Sequence, residues 1–301
     1  MRKIVMFTGK GGVGKTTTSV ATALLFSQHK RVLLVSTDPA GSLSNIFNVE
    51  FGDKIVNVDK NLDVIELTRP AILKLWRKRF GDEVYTVVSS LFPVERDILD
   101  YLEGAPGLDE EFMLDYVSEA VKSKRYDYIV WDTAPTASTL NLLNIQYLFY
   151  SHLGEAQKLY LSLKGVFSKI KRRPEGEPLE LIKSWRKLTE HVLNMLSTDA
   201  STWIVANPER LPVEQALFIG KSITKYGIEL NGYILNRIFP EDVCKGNDFL
   251  KQKREQQLKW KENLIKRADA QVKIIPEMMG DITRKDKLLA IAHMLYEAKP
   301  T

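Results

Sequence analysis

The sequence of 301 residues holds a single cysteine, Cys244. One thiol cannot close an intrachain disulfide, which excludes a secreted, disulfide-stapled scaffold. Nor can it supply the several ligands of a cysteine-rich zinc site or an iron–sulfur cluster within one chain. No run approaches the roughly 18 apolar residues of a membrane span. The opening Met1-Arg2-Lys3 leads into a short apolar run and then glycines, which is not a signal-peptide pattern. The expectation is a cytoplasmic protein without a transmembrane span of its own. Internal repeats and low-complexity tracts are absent. With only 7 methionines, a Met-rich adaptable surface is not indicated.

Hydrophobic residues at 44% and charged residues at 27% fit an average globular protein and exclude disordered or collagen-like chains. A chain this long buries a core without staples, as one large domain or two small ones. The net charge of +5 arises from 43 basic and 38 acidic residues that are interspersed almost throughout. Such a small excess is a solvated surface by default, and no specific nucleic-acid partner is expected.

Short β-rich runs alternate with helical patterns, the signature of parallel strands with helical crossovers. Strands are expected at 3–8, 31–36, 62–68, 126–132, 202–207, 231–236 and 271–276. Several are apolar nearly throughout, as strands buried on both faces should be. A closing helix is expected at 281–298, started by Asp281 or Thr283. Two long stretches, about 70–124 and 151–198, read as helix without any strand. The expectation is a single α/β domain over 1–301, a doubly wound, mostly parallel sheet carrying an inserted helical subdomain. Residues 172–178, RRPEGEP, read as an exposed loop within it.

Residues 9–16 read GKGGVGKT and fit G-x-x-x-x-G-K-[ST]. The motif follows a strand and opens a helix expected at 16–29. Glycines let backbone N–H groups converge on phosphate oxygens. The helix N-terminus adds about half a positive charge. Lys15 is placed to reach the β- and γ-phosphates, and the Thr16 hydroxyl to ligate Mg²⁺. Gly9, Lys10, Gly11, Gly12, Val13, Gly14, Lys15, Thr16 and Thr17 form the candidate nucleotide set. Downstream, residues 36–45 read STDPAGSLSN, and Asp38 lies where a strand end faces a phosphate crevice. Residues 132–140 read DTAPTASTL after an apolar strand, a Walker B pattern in which Asp132 holds Mg²⁺, through water or indirectly.

The extra lysine, Lys10, resembles the deviant loop K-G-G-x-G-K-[ST] of the ParA, MinD and ArsA P-loop ATPases. Thr37-Asp38-Pro39-Ala40, Asp132-Thr133-Ala134-Pro135-Thr136 and Pro106-Gly107-Leu108-Asp109-Glu110 narrow the resemblance to the arsenical pump ATPase (ArsA) family. That family includes the guided-entry ATPases that target tail-anchored membrane proteins. The resemblance implies a P-loop NTPase fold, ATP with Mg²⁺, and a homodimer. It also implies that Asp38 orients the attacking water and that Lys10 contacts phosphate across the dimer. Asn236, Pro276 and Glu277 are implied to hold adenine. Gly41, Ala137, Ser138 and Asn141 depart from the residues the family usually carries in the two switch segments.

Cys244-Lys245-Gly246-Asn247 stands where many targeting members carry C-x-x-C, and the polar run Arg254-Glu255-Gln256-Gln257 follows. A dimer would offer two thiolates where the shared zinc site uses four, so no zinc is expected. In the helical stretches Leu153, Ala156, Leu159, Leu163, Val166 and Ile170 recur at spacings of three and four. So do Leu181, Trp185, Leu188, Val192 and Met195, and a further stripe runs from Ile72 and Trp76 to Leu91. These stripes either pack against one another or form a groove for an apolar client helix. The expected function is a Mg²⁺-dependent ATPase that couples ATP binding and hydrolysis to a dimer conformational change. Its implied partners are hydrophobic, tail-anchored segments and a membrane receptor. The alternatives are a ParA/MinD-like positioning ATPase or an ArsA-like anion-transport subunit.

Overall fold

In the computed structural model, residues 2–37, 42–105, 107–133, 136–167 and 177–296 are described. The chain runs β1 (Ile4–Thr8), α1 (Lys15–Ser27), β2 (Val32–Ser36), α2 (Ser42–Phe47), β3 (Val56–Asp59) and β4 (Leu62–Glu66). Helices α3 (Arg69–Leu91), α4 (Ile98–Glu103) and α5 (Leu108–Lys122) come next, before β5 (Tyr128–Asp132). Two long helices follow, α6 (Thr136–Phe167) and α7 (Glu177–Asp199). The remainder is β6 (Ala200–Ala206), α8 (Arg210–Lys225), β7 (Glu229–Ile238), a 3-10 turn (Asp242–Cys244), α9 (Asp248–Arg267), β8 (Gln271–Pro276) and α10 (Lys285–Tyr296).

All seven expected strands form, with ends shifted by a few residues. They pair in the order β3-β4-β2-β5-β1-β6-β7-β8, and every pairing except β3 with β4 is parallel. The runs IVMFT and VLLVS are buried at every position, because helices cover both faces of the central strands. The α/β, mostly parallel architecture expected from the alternation is the one observed. The eighth strand, β3, was not anticipated. Its four residues, Val-Asn-Val-Asp, are only partly buried and return through Lys60-Asn61 as an antiparallel edge, so they lack the apolar run of the others.

Two helix starts differ from expectation. The closing helix begins at Lys285 because Asp281 and Thr283 satisfy each other. Asp281 Oδ1 accepts from the Thr283 amide at 2.9 Å and its hydroxyl at 2.6 Å, which closes a turn in place of a cap. The second helical stretch begins at Thr136, inside the 132–140 segment and well before residue 151. The loop expected at 172–178 lies outside the described residues up to position 176.

The chain separates into two compact units. One comprises Met1–Thr68, Ala120–Leu140 and Leu196–Thr301, and holds the sheet. Its core includes Val5, Phe7, Val20, Leu34, Val130 and Ile234, with Leu288, Ile291 and Leu295 of α10 closing over α1. The other comprises Arg69–Glu119 and Asn141–Met195. There Val87, Leu153 and Ile182 are buried, with Phe149, Tyr160, Leu181 and Trp185 packed on them. Much of the expected stripe therefore faces inward, and Val192 and Met195 are buried as well. Leu159, Leu163, Val166 and Ile170 lie outside the described side chains.

Candidate functional site

Strand order places β1 between β5 and β6; the chain leaves β1 toward β2 on one side of the sheet and leaves β6 toward β7 on the other. Ligands of open α/β sheets bind at such a switch point, beyond the carboxyl ends of the strands. In register, Phe7 of β1 and Ser36 of β2 both lie beside Asp132 of β5. The loop 9–14 leaves that edge. Gly9 passes so close to the Val205 carbonyl of β6 that a Cβ there would overlap the oxygen, which explains the first glycine.

Gly14 precedes α1 with φ 100°, and no side chain caps the helix. The first amides of α1 are thus left for an anion, and the helix dipole favours one. Lys15 is buried, with Nζ 3.4 Å from the Lys10 carbonyl, while the Lys10 side chain is exposed. Gly11 and Gly12 are exposed and Val13 is buried at the turn of the loop. Thr17 is half-buried in the first turn of α1.

Thr16 Oγ1 donates to Asp132 Oδ2 at 2.8 Å, and Ser36 Oγ stands 3.3 Å from the same oxygen. Asp132 is fully buried. A hydroxyl and a carboxylate in contact at the mouth of a phosphate loop are two hard oxygen donors of the kind Mg²⁺ takes, so the two residues fit that ion. The Thr133 hydroxyl donates to the Phe7 carbonyl at 2.8 Å, and the Thr37 amide to the Asp132 carbonyl at 3.1 Å. Both contacts pin the strand ends that carry the site. Asp38, together with Pro39, Ala40 and Gly41, lies outside the described residues.

Asn236 is nearly buried at the end of β7, where Nδ2 donates to the Val13 carbonyl at 2.8 Å. Pro276 ends β8 and Glu277 follows it, and the Glu277 amide donates to the Ile238 carbonyl at 2.9 Å. The phosphate loop, Thr16, Asp132 and Asn236 are brought together, and the 276–277 segment is tied to the same end of β7.

Sequence reasoning missed Glu66. It ends β4 buried, and its carboxylate accepts from the Leu43 amide at 2.9 Å and the Ser44 hydroxyl at 2.7 Å. It thereby anchors the short α2 immediately after the Asp38 segment. An acidic residue closing an apolar strand is the signal that marked Asp132, and it was there to be read in LDVIE as well.

Cys244 is buried, and its Sγ lies 3.3 Å from the Pro240 carbonyl. Asn247 caps α9, its Oδ1 accepting from the Leu250 amide at 3.1 Å. The residue standing where a second thiolate was sought is thus a helix cap. In the helical unit, a cavity of about 430 Å³ is lined by α6 and by Arg186 of α7. No residue of the phosphate loop contributes to it.

The model of a family described as anion-transporting ATPase matches residues 2–297. A protein of Aquifex aeolicus provisionally named an arsenical pump-driving ATPase is 34% identical over 262 residues, covering 86% of this chain and 87% of that protein. The ATPase get3 of Pyrenophora tritici-repentis is 29% identical, covering 96% of this chain and 89% of its own. An ATPase ASNA1 homolog of Dictyostelium discoideum is 31% identical, covering 80% and 74%.

Proposed function

This chain belongs to the anion-transporting ATPase family and is an ATP hydrolase, and on that premise we propose that it couples a Mg²⁺-dependent ATP cycle to the capture of apolar membrane-protein segments by a nucleotide-dependent homodimer. The observation that carries the nucleotide half is the contact of Thr16 with Asp132 beside the uncapped start of α1. Amides of the loop and of α1 receive the phosphates, and Lys15 adds a fixed positive charge where negative charge grows in the transition state. Thr16 and Asp132 hold Mg²⁺, which neutralises phosphate oxygens when bound. Asp38 orients the attacking water. The described residues on either side of its segment are fixed by Ser36 on Asp132 and by Glu66 on α2. Lys10, exposed on the loop, is free to serve the nucleotide of a second subunit, as the ArsA-type loop implies.

ATP binding with Asp38→Asn should persist while turnover is lost; unchanged turnover overturns the assignment of Asp38. For the dimer, sedimentation with a non-hydrolysable ATP analogue should show a twofold rise in mass that Lys10→Ala weakens.

The client half rests on the family resemblance and on apolar side chains left at the surface of the helical unit. Leu148 and Leu161 of α6 are 47% and 50% exposed. Among the described residues no helix is long and apolar enough to cross a membrane, so a membrane enters this reading through a client or a receptor. We place the protein in the cytoplasm. One thiol per chain, with Asn247 as a cap, leaves a zinc clasp out of the reading, and nucleotide contacts hold the dimer. Co-purification with a single-span tail segment, lost in Leu148→Asp with Leu161→Asp, tests it. Absence of capture in every nucleotide state counts against it.

A further inference from the structure

The polar run 254–257 of α9 has no part in the reading above, yet two of its side chains reach the end of β7. Gln257 Nε2 donates to the Arg237 carbonyl at 3.0 Å, and its Oε1 accepts from the Phe239 amide at 2.8 Å. One amide group thus holds the backbone on both sides of Ile238. Arg254 Nε donates to the Phe239 carbonyl at 3.1 Å. Between these contacts Arg237 has φ 64°, a left-handed conformation that an L residue keeps only where its surroundings hold it. The register of β7 against β8 shifts at the same place, between Leu235 and Ile238.

Asn236 immediately precedes this bulge. Its Nδ2 bonds the Val13 carbonyl and fills the space that a Cβ on Gly14 would need. The aim of an asparagine amide is fixed by its own backbone and one or two torsions, so Asn236 reaches Val13 only while the bulge keeps its shape. The Glu277 amide bonds the Ile238 carbonyl of the same bulge. Val13, Gly14, Asn236 and Glu277 therefore all depend on residues 236–239, and Gln257 is the side chain that spans them.

We propose that Gln257 is a positioning residue for the phosphate loop, acting through the Arg237–Phe239 backbone and Asn236 on Val13 and Gly14. It touches neither nucleotide nor metal. This inference rests on the nucleotide-binding reading of residues 9–16.

The test uses the full chain with Gln257→Ala, Gln257→Met, Gln257→Glu, Asn236→Ala and the Gln257→Ala/Asn236→Ala double variant. Hydrogen exchange is followed at residues 13–15 without nucleotide, and ATP affinity with a fluorescent ATP analogue. In Gln257→Ala, exchange of the loop amides should rise. ATP affinity should fall about three- to tenfold, the worth of one hydrogen bond. Gln257→Met keeps the length of the side chain without its polar atoms and should behave alike, which separates the lost bonds from lost packing. Gln257→Glu keeps the acceptor for Phe239 and should fall between. KM should rise with kcat held within about twofold, because positioning of the loop acts on ground and transition states alike. In the Asn236→Ala background, Gln257→Ala should add nothing, since the path is already cut.

Loop exchange unchanged in both Gln257→Ala and Gln257→Met, or effects that add fully to those of Asn236→Ala, overturn the proposal. A wild-type chain that bound no ATP would overturn the nucleotide reading instead, while the exchange measured without nucleotide still decides the role of Gln257.

Discussion

The two units of the chain spend their buried polar groups differently. In the sheet unit, Lys15, Ser36, Glu66, Asp132, Thr133 and Asn236 are buried polar side chains at the carboxyl edge of the strands, while Thr18, Ser19, Thr22 and Ser27 lie along α1 and Ser201 and Thr202 at the start of β6. The edge group fixes strand ends, the phosphate loop and the start of α2. In the helical unit three polar pairs join neighbouring helices. Asp115 of α5 takes Arg79 of α3 at 2.8 Å, Trp185 of α7 donates to Glu83 of α3 at 2.6 Å, and Gln146 of α6 bonds Glu111 of α5. The same residue types therefore build a site in one unit and staple a bundle in the other. Substitutions should separate accordingly: those at the strand edge should cost activity, and those in the bundle should cost stability.

The largest effect is expected from Lys15→Ala. Removing a preorganised charge from developing negative charge costs on the order of 10²–10³-fold in kcat. The unfolding midpoint without nucleotide should move far less than kcat, since Nζ is held inside the phosphate loop, 3.4 Å from the Lys10 carbonyl, and joins no two helices. A large loss of stability in Lys15→Ala would erase the contrast between the two units.

Glu111 gives the converse case. Burial pushes its carboxyl up to about 8, with Asp115 adding to the rise and the Gln146 amide opposing it. The unfolded chain releases this proton near 4.5, so between there and about 8 the folded protein holds a proton that the unfolded chain has lost. Stability contributed by this group therefore falls as pH rises through that window and is level above it. Glu111→Gln should flatten the slope and gain roughly 2–4 kcal/mol at pH 8. Thermal unfolding of both proteins from pH 5 to pH 9 checks it; parallel curves would refute the assignment.

How much of this was legible in the sequence follows the same division. That residues 9–16 and Asp132 were candidates to look at together was readable, because glycine spacing and a strand-end carboxylate are local signals that need no partner to be recognised, and the structure places Thr16 against Asp132. Gln257 was not, because its meaning lies in two backbone groups some twenty residues away that only the bulge after Asn236 brings under α9. The edge strand β3 was hidden by its polar alternation. In the bundle, the period of apolar residues gave the helices, but it could not say which stripes pack inward. Val192 and Met195 look no different in sequence from Leu148 and Leu161, yet the first two are buried and the last two are not. Helical periodicity reports that a face exists, and only packing reports what covers it.

Glu66→Gln probes the border between the two behaviours. The carboxylate accepts from an amide and a hydroxyl; the substitution removes its charge and leaves an NH2 facing the Ser44 hydroxyl, which must turn from donor to acceptor. Stability should fall by about 1–2 kcal/mol, with a larger proportional loss of turnover because α2 follows the Asp38 segment. Stability lost without any change in turnover would move Glu66 into the class of bundle-like staples.

The smallest effect is expected at Trp185→Phe. The substitution keeps most of the apolar surface packed on Val87, Leu153 and Ile182 but removes the donor to Glu83. Glu83 sits on α3, so the bond joins two helices far apart in sequence, and its loss should cost about 1 kcal/mol. Turnover measured below the unfolding transition should match the unmodified chain. In a double-mutant cycle with Glu83→Leu, the coupling should account for most of that cost, since each substitution removes the same bond. A cycle showing no coupling would mean that the ring's packing alone sets the contribution of Trp185. The bundle would then be held by apolar contact, without the polar staples that distinguish it from the strand edge.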